Sequence, residues 1–145
     1  MIRKYNSTDT NRLIEIWYTA STLAHPFLAD DFVAKTKKDM RELYLPNSET
    51  WVYEKEGEVI GFISMLGNEI GGLFVFPHHH SQGIGTQLVN YVKELHETLE
   101  VEVFENNAIG RPFYDKYGFT LMASHVHQPT QQQVLRMKFV GMAKQ

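Results

Sequence analysis

The chain has 145 residues, 43% hydrophobic and 21% charged, which is the length of one domain and the composition of a folded rather than a disordered one. With 14 Lys and Arg against 17 Asp and Glu, a formal charge of −3, it lacks the basic excess of a nucleic-acid binder. It has no cysteine, which excludes disulfides, Cys-ligated zinc and a cysteine nucleophile, and no apolar run near the ~18 residues that cross a bilayer.

One domain over residues 1–145 is expected, in the cytoplasm, because Met1 to Asn6 carries no apolar leader segment and no linker or repeat interrupts the chain. A weak first strand at Ile2 to Tyr5 precedes Ser7-Thr8-Asp9, whose side-chain oxygens can cap a helix. Leu13, Ile16, Trp17 and Ala20 recur at helical spacing and predict that helix to about Ser21. His25-Pro26-Phe27-Leu28 interrupts it. A second helix follows Asp30-Asp31, with Phe32, Val33, Met40 and Leu43 as expected buried positions, and ends before Pro46. Trp51 to Glu54 reads as a strand, Glu56-Gly57 as a tight turn, and Val59 to Leu66 as a return strand buried on both faces. Ile70 to Phe76 is a strand stopped by Pro77. A helix from Gly83 to Leu99 follows, with Ile84, Leu88, Tyr91, Val92 and Leu95 on one face. Val101 to Phe104 is a strand, Asn107 to Tyr117 a helix stopped by Gly118, and Phe119 to Ala123 and Val134 to Val140 the last strands. The sum is a mixed α+β domain with early hairpins and a central βαβ crossover. The protein is expected to be a monomer or a homodimer, the last strand being available to pair across a dimer.

The most informative segment runs from a buried strand through Pro77-His78-His79-His80-Ser81-Gln82 to Gly83-Ile84-Gly85-Thr86. Helix N-termini leave N–H groups unpaired and favour anions, and glycines admit a phosphate close to the backbone. The plainer alternative is that Gly83 and Gly85 only make a tight helix entry. A Walker-type loop is absent. A dinucleotide fingerprint lacks its third glycine, although Glu100 or Glu102 sits near the distance of a ribose-binding acid. His78-His79-His80 has no companion ligand motif, so no metal is expected.

A pattern of strand, Pro, loop and x-x-Gly-x-Gly entering a helix resembles the acetyl-CoA loop of the GNAT (GCN5-related) N-acetyltransferases, with His80 where that family has Arg or Gln. A second segment, Asn107-Ala108-Ile109-Gly110-Arg111-Pro112-Phe113-Tyr114 with Gly118-Phe119, is similar to the same family's later motif. The ordered pair spans about residues 70–119. By size the chain is most similar to small single-domain bacterial members such as protein lysine and Nα-acetyltransferases. The resemblance implies a GNAT fold: a mostly antiparallel mixed sheet of six to seven strands, splayed in the middle, with about four helices. It implies acetyl transfer from acetyl-CoA to a primary amine of a small molecule or a protein. With no cysteine, direct attack in a ternary complex is the simple route.

The resemblance makes Tyr114 the general acid for the leaving thiolate. Glu102 and Glu69 are candidate bases, each also readable as a solvated strand-edge charge, and a water chain is a further candidate base. Leu73 and Val75 are expected to pair with the pantetheine amides. His80, Ser81, Gln82, Gly83, Ile84, Gly85 and Thr86 are expected around the pyrophosphate, Asn107 on the pantetheine arm, and Lys116 or Arg111 near the ribose phosphate. His25 and Phe27 are expected to line the acceptor site, whose selectivity falls to the loops around His25 to Asp31 and His125 to Thr130. Two rival readings remain open here: a non-catalytic CoA-binding module of the same fold, and a dinucleotide-dependent oxidoreductase.

Overall fold

The computed structural model describes residues 1–141. Strand β1 (Ile2–Lys4) is followed by a 3-10 turn at Ser7–Asp9, started by a reciprocal cap in which the Asn6 and Asp9 side chains each accept the other's backbone N–H or that of its neighbour. Helix α1 (Thr10–Ala24) buries Leu13, Ile16, Trp17 and Ala20, as the spacing predicts, and runs one turn past Ser21 to stop just before Pro26.

Helix α2 (Asp30–Asp39) passes into a π turn at Met40–Tyr44 and then a single turn, α3 (Leu45–Asn47), closed around Pro46. The wider π turn carries an extra residue and rotates the buried face. Met40 is buried as expected, but Leu43 is 52% exposed and Leu45 takes its place in the core.

Strands β2 (Glu49–Lys55), β3 (Glu58–Leu66) and β4 (Glu69–Val75) form a meander of hairpins. Helix α4 (Ile84–Lys93) is shorter than its apolar spacing suggests. Strand β5 (Thr98–Phe104) already starts at Thr98, so Leu95 lies beyond the helix and is exposed. Tyr91 packs at a tilt against Trp51 near the surface, 4.8 Å between centroids, and Val89 fills the buried position instead. Helix α5 (Gly110–Tyr117) ends at Gly118, whose φ of 117° is the left-handed stop that the sequence predicts. Strands β6 (Thr120–His127) and β7 (Gln132–Val140) complete the chain.

The seven strands lie in the order β1-β2-β3-β4-β5-β7-β6, antiparallel except for β4 with β5. Strand β7 therefore sits inside the sheet with a partner on each side, and the expectation that it could pair across a dimer is corrected: the edges are β1 and β6. One buried cluster spans α1, both halves of the sheet, α4 and the end of α5, through Leu13, Ile63, Leu88, Leu99 and Phe119. No described helix is long and apolar enough to cross a membrane.

The junction between β4 and β5 is the feature that matters for function. Their parallel pairing has only two steps, Glu69 opposite Glu100 and Ile70 opposite Val101. Beyond it, a bulge at Gly71 lets β4 follow β3 as far as Gly61 opposite Val75. Strand β5 instead follows β7 as far as Phe104 opposite Val134. The two halves of the sheet part, leaving backbone edges on both sides of a gap.

Candidate active site

A cleft of about 550 Å³ opens where β4 and β5 diverge. Gly71 to Val75 form one wall and Val101 to Phe104 the other. Leu73 and Val75 line the cleft on the edge of β4, which an extended amide-bearing chain can join.

One end of the cleft is the loop into α4. Ser81 and Gly83 are left-handed, with φ of 68° and 79°, and such residues in a short loop make backbone N–H groups converge on a concave side. For Ser81 that conformation is strained, a condition often found at ligand-binding loops. Ser81, Gly83, Ile84, Gly85 and Thr86 line the cleft at the start of a ten-residue helix whose dipole favours an anion there. His80 also lines it, but its Nε2–H donates to the Val75 carbonyl at 2.9 Å, tying the ring back to the strand. Gln82 is outside the lining and meets His79 Nδ1 at 3.1 Å.

Tyr114 reaches the cleft from α5. Its ring is 6% exposed and packs edge-on against Phe113 and Phe119, at 5.2 and 5.1 Å between centroids. Burial pushes its phenol above the ordinary tyrosine pKa, so the group stays protonated and can donate. Among the described residues the hydroxyl has no hydrogen-bond partner, and it is not one of the sealed polar atoms, so it opens on the cleft.

Asn107 is buried, and its carboxamide makes three hydrogen bonds. Its Oδ1 accepts from the N–H groups of Ile109 and Gly110, at 3.0 and 2.7 Å, which fixes the amide orientation. Its Nδ2 then donates to His25 Nε2 at 3.1 Å, so the His25 proton resides on Nδ1, which donates to Ser21 Oγ at 3.0 Å. Asn107 lines the cleft, where the resemblance puts it on the pantetheine arm, and its second Nδ2 hydrogen is not used by α5 or His25. Gly110 is required here: a Cβ on it would lie 2.6 Å from Asn107 Nδ2.

Burial lowers the His25 pKa from its ordinary 6.5 to about 4. The unfolded chain therefore binds a proton over that interval that the folded chain does not. The contribution is complete above about pH 6.5 and is lost as pH falls towards about 4. At about 1.4 kcal/mol per pH unit it reaches roughly 3 kcal/mol. Urea unfolding of the wild type at pH 7.5 and pH 4.5 is expected to differ by about 2.5 kcal/mol more than it does for His25→Gln; equal differences would refute the assignment.

The two candidate bases share one guanidinium. Arg136 reaches Glu100 at 2.9 Å, Glu69 at 3.1 Å and Glu102 at 3.3 Å, and these carboxylates, Glu100 first, hold the guanidinium above its ordinary pKa. Glu69 is not part of the cleft lining; Glu102 is, and lies 3.7 Å from His125 Nε2. Phe27 is one layer behind the lining, packed on His25 and Phe104 at 5.8 and 5.5 Å between centroids. Lys116 does not line the cleft. Among the described residues no group of three His, Asp or Glu is placed to hold a metal ion.

The structure adds to the site residues that the sequence reading does not name individually for it, Leu28 and His127 among them coming from the two loops expected to set acceptor selectivity. Trp17, Leu28, Phe32, Thr36, Phe104 and His127 line the cleft on the side of the α1–α2 loop. Helical spacing assigned Phe32 to the core, since apolar periodicity does not distinguish a core face from a pocket face. His127 lies four residues past the predicted end of its strand.

The family model of the acetyltransferase (GNAT) domain matches residues 46–121. The peptidyl-lysine N-acetyltransferase YiaC of Escherichia coli K12 is 32% identical over 123 residues, 84% of each chain. The solution structure of apo YjaB from Escherichia coli superposes with a TM-score of 0.87 at 25% identity, covering 98% of both chains. The PaiA N-acetyltransferase of Thermoplasma acidophilum, solved with coenzyme A, shares the fold at a TM-score of 0.81 and 18% identity, over 96% of this chain and 98% of that one. The chain belongs to the GNAT family of N-acetyltransferases.

Proposed function

We propose that the chain, acting as one cytoplasmic domain over residues 1–145, transfers the acetyl group of acetyl-CoA to the side-chain amine of a protein lysine. The observation that carries this reading is the β4–β5 gap, which joins the anion-favouring start of α4 to the Tyr114 hydroxyl through one continuous cleft. The pantetheine arm runs along the open edge of β4, its amides meeting the backbone around Leu73 and Val75. The pyrophosphate rests on the N–H groups of Ser81 to Thr86. The thioester carbonyl then lies beside Tyr114, and the acceptor enters from the side of His25, Phe32 and Phe104. The lysine acceptor is supported by the name of the YiaC relative.

With no cysteine to carry the acetyl group, the amine attacks the thioester directly. The C–N bond forms as the C–S bond breaks, and Tyr114 donates its proton to the departing sulfur. Glu69 and Glu102 reach the reaction only by releasing Arg136, which speaks against either as the base.

Thermal unfolding with acetyl-CoA, CoA, NADPH and ATP in parallel tests the first half of the reading. At about 100 times Kd, a ligand stabilises by ~2.7 kcal/mol, a rise of several degrees for a chain of this size. Acetyl-CoA and CoA alone are expected to produce it, and a response only to NADPH or ATP would sink the reading. Mass spectrometry of lysine peptides incubated with the enzyme and acetyl-CoA tests the second half. Binding without transfer to any amine would instead mark a CoA-binding module of the same fold.

A further inference from the structure

We propose that His127 is the general base that removes the first proton from the acceptor ammonium; the assignment rests on the lysine-acetylation reading above. It follows from the hydrogen bonds of the ionisable side chains that line the cleft: His25, His79, His80, Glu102, Tyr114 and His127. Both His25 nitrogens are engaged, by Ser21 and Asn107. Nε2 of His80 is bonded to Val75, and His79 belongs to the loop before α4, at the anion end. Glu102 is paired with Arg136, and Tyr114 is held protonated by burial.

His127 differs from all of these. Its Nδ1 lies 2.8 Å from Thr130 Oγ1. In this proposal the ring proton sits on Nδ1 and is donated to Thr130 Oγ1, whose own hydrogen then turns towards the His127 carbonyl oxygen at 3.5 Å. The lone pair is left on Nε2, which has no partner among the described residues. The ring is held edge-on between Phe32 of α2, at 6.0 Å, and Phe104 of β5, at 5.7 Å, both on the acceptor side of the cleft. Neither ring titrates, and nor does Thr130. The elements around it carry ionisable groups: His25 on the far side of Phe104, His125 with Glu102 one strand repeat away, and Asp30, Asp31 and Lys35 on the helix of Phe32. An imidazole in that tautomer, with an unpartnered nitrogen in the wall of the cleft, can receive a proton from a lysine that enters beside it.

The protons balance. The acceptor nitrogen gives its first proton to His127 Nε2, which passes it to solvent. After attack the nitrogen loses its second proton, which restores Tyr114 once Tyr114 has protonated the sulfur. The products are the acetyl-lysine, CoA thiol and one proton in solution.

The test uses the full chain with acetyl-CoA and a lysine peptide that the wild type acetylates. His127→Gln is expected to lower kcat/KM near pH 7 by about tenfold or more, a modest share of the effect a general base supplies, with acetyl-CoA binding and thermal midpoint close to wild type. The deficit should narrow as pH rises towards the lysine's own ~10.4, where the amine needs no base. Added imidazole should restore part of the rate of His127→Ala. Thr130→Val, which frees the tautomer without touching the ring, should cost several-fold and guards against a folding defect in the histidine variants. Wild-type rate and pH profile in His127→Gln would overturn the proposal, as would an equal loss at every pH without imidazole rescue. A wild-type protein that acetylates no lysine peptide overturns the acceptor reading, and His127 as its base with it, before any variant is made.

Discussion

Tyr114→Phe is expected to lower kcat by about tenfold or more, at least ~1.4 kcal/mol of transition-state stabilisation, while leaving acetyl-CoA affinity where it was. The substitution removes one oxygen and keeps the ring that packs between Phe113 and Phe119, so the aromatic cluster and α5 remain in place. What is lost is the hydroxyl that opens on the cleft and is proposed to protonate the thiolate. Because burial keeps the phenol protonated well above neutral pH, the loss should be nearly constant from pH 6 to pH 9. A separate titration of acetyl-CoA by calorimetry distinguishes a catalytic loss from a binding loss. An unchanged kcat would remove Tyr114 from the mechanism.

Asn107→Ala is expected to cost about 3 kcal/mol of folding stability, which lowers the thermal midpoint by roughly 10 °C. One side chain makes three hydrogen bonds here: two cap the backbone at the start of α5 and the third satisfies His25. Truncation leaves the Ile109 and Gly110 N–H groups without their acceptor and the His25 Nε2 without its donor, all partly buried, at about 1 kcal/mol each. Gly110→Ala should be destabilising for the same reason, because its Cβ would displace the Asn107 amide rather than strain its own backbone. Urea unfolding measures both. A cost below about 1 kcal/mol for Asn107→Ala would mean that water replaces the three partners and that the network holds little together.

Much of this architecture is legible in the sequence because local and global signals agree. Pro77, Gly83 and Gly118 each end or start an element where they are expected, and the element order from β1 to β7 follows the predicted one. Departures have physical causes. The π turn after Asp39 exchanges Leu43 for Leu45, and no residue preference announces a π turn. Helix α4 is predicted too long because Leu95 and Leu99 continue its spacing into a loop and a strand. In the site, motifs locate the α4 loop and Tyr114 because those positions depend on backbone and on near neighbours. The glutamates are another matter: that Glu69, Glu100 and Glu102 converge on Arg136 depends on β5 lying between β4 and β7, a pairing between residues 67 apart. The commitment of Asn107 to His25 joins residues 82 apart and is equally invisible to spacing.

The two-step pairing of β4 with β5 also bears on how the chain acquires its shape. Strands β2 to β4 pair with their sequence neighbours and can zip as successive hairpins, with short loops to close. The β5-β7-β6 half is a separate ladder, with β6 and β7 a hairpin that must then capture β5. So few direct rungs link the two ladders that neither depends on the other for its register. Docking of the two half-sheets through their shared buried cluster is then the expected late event in folding, and the seam they leave is the cleft itself.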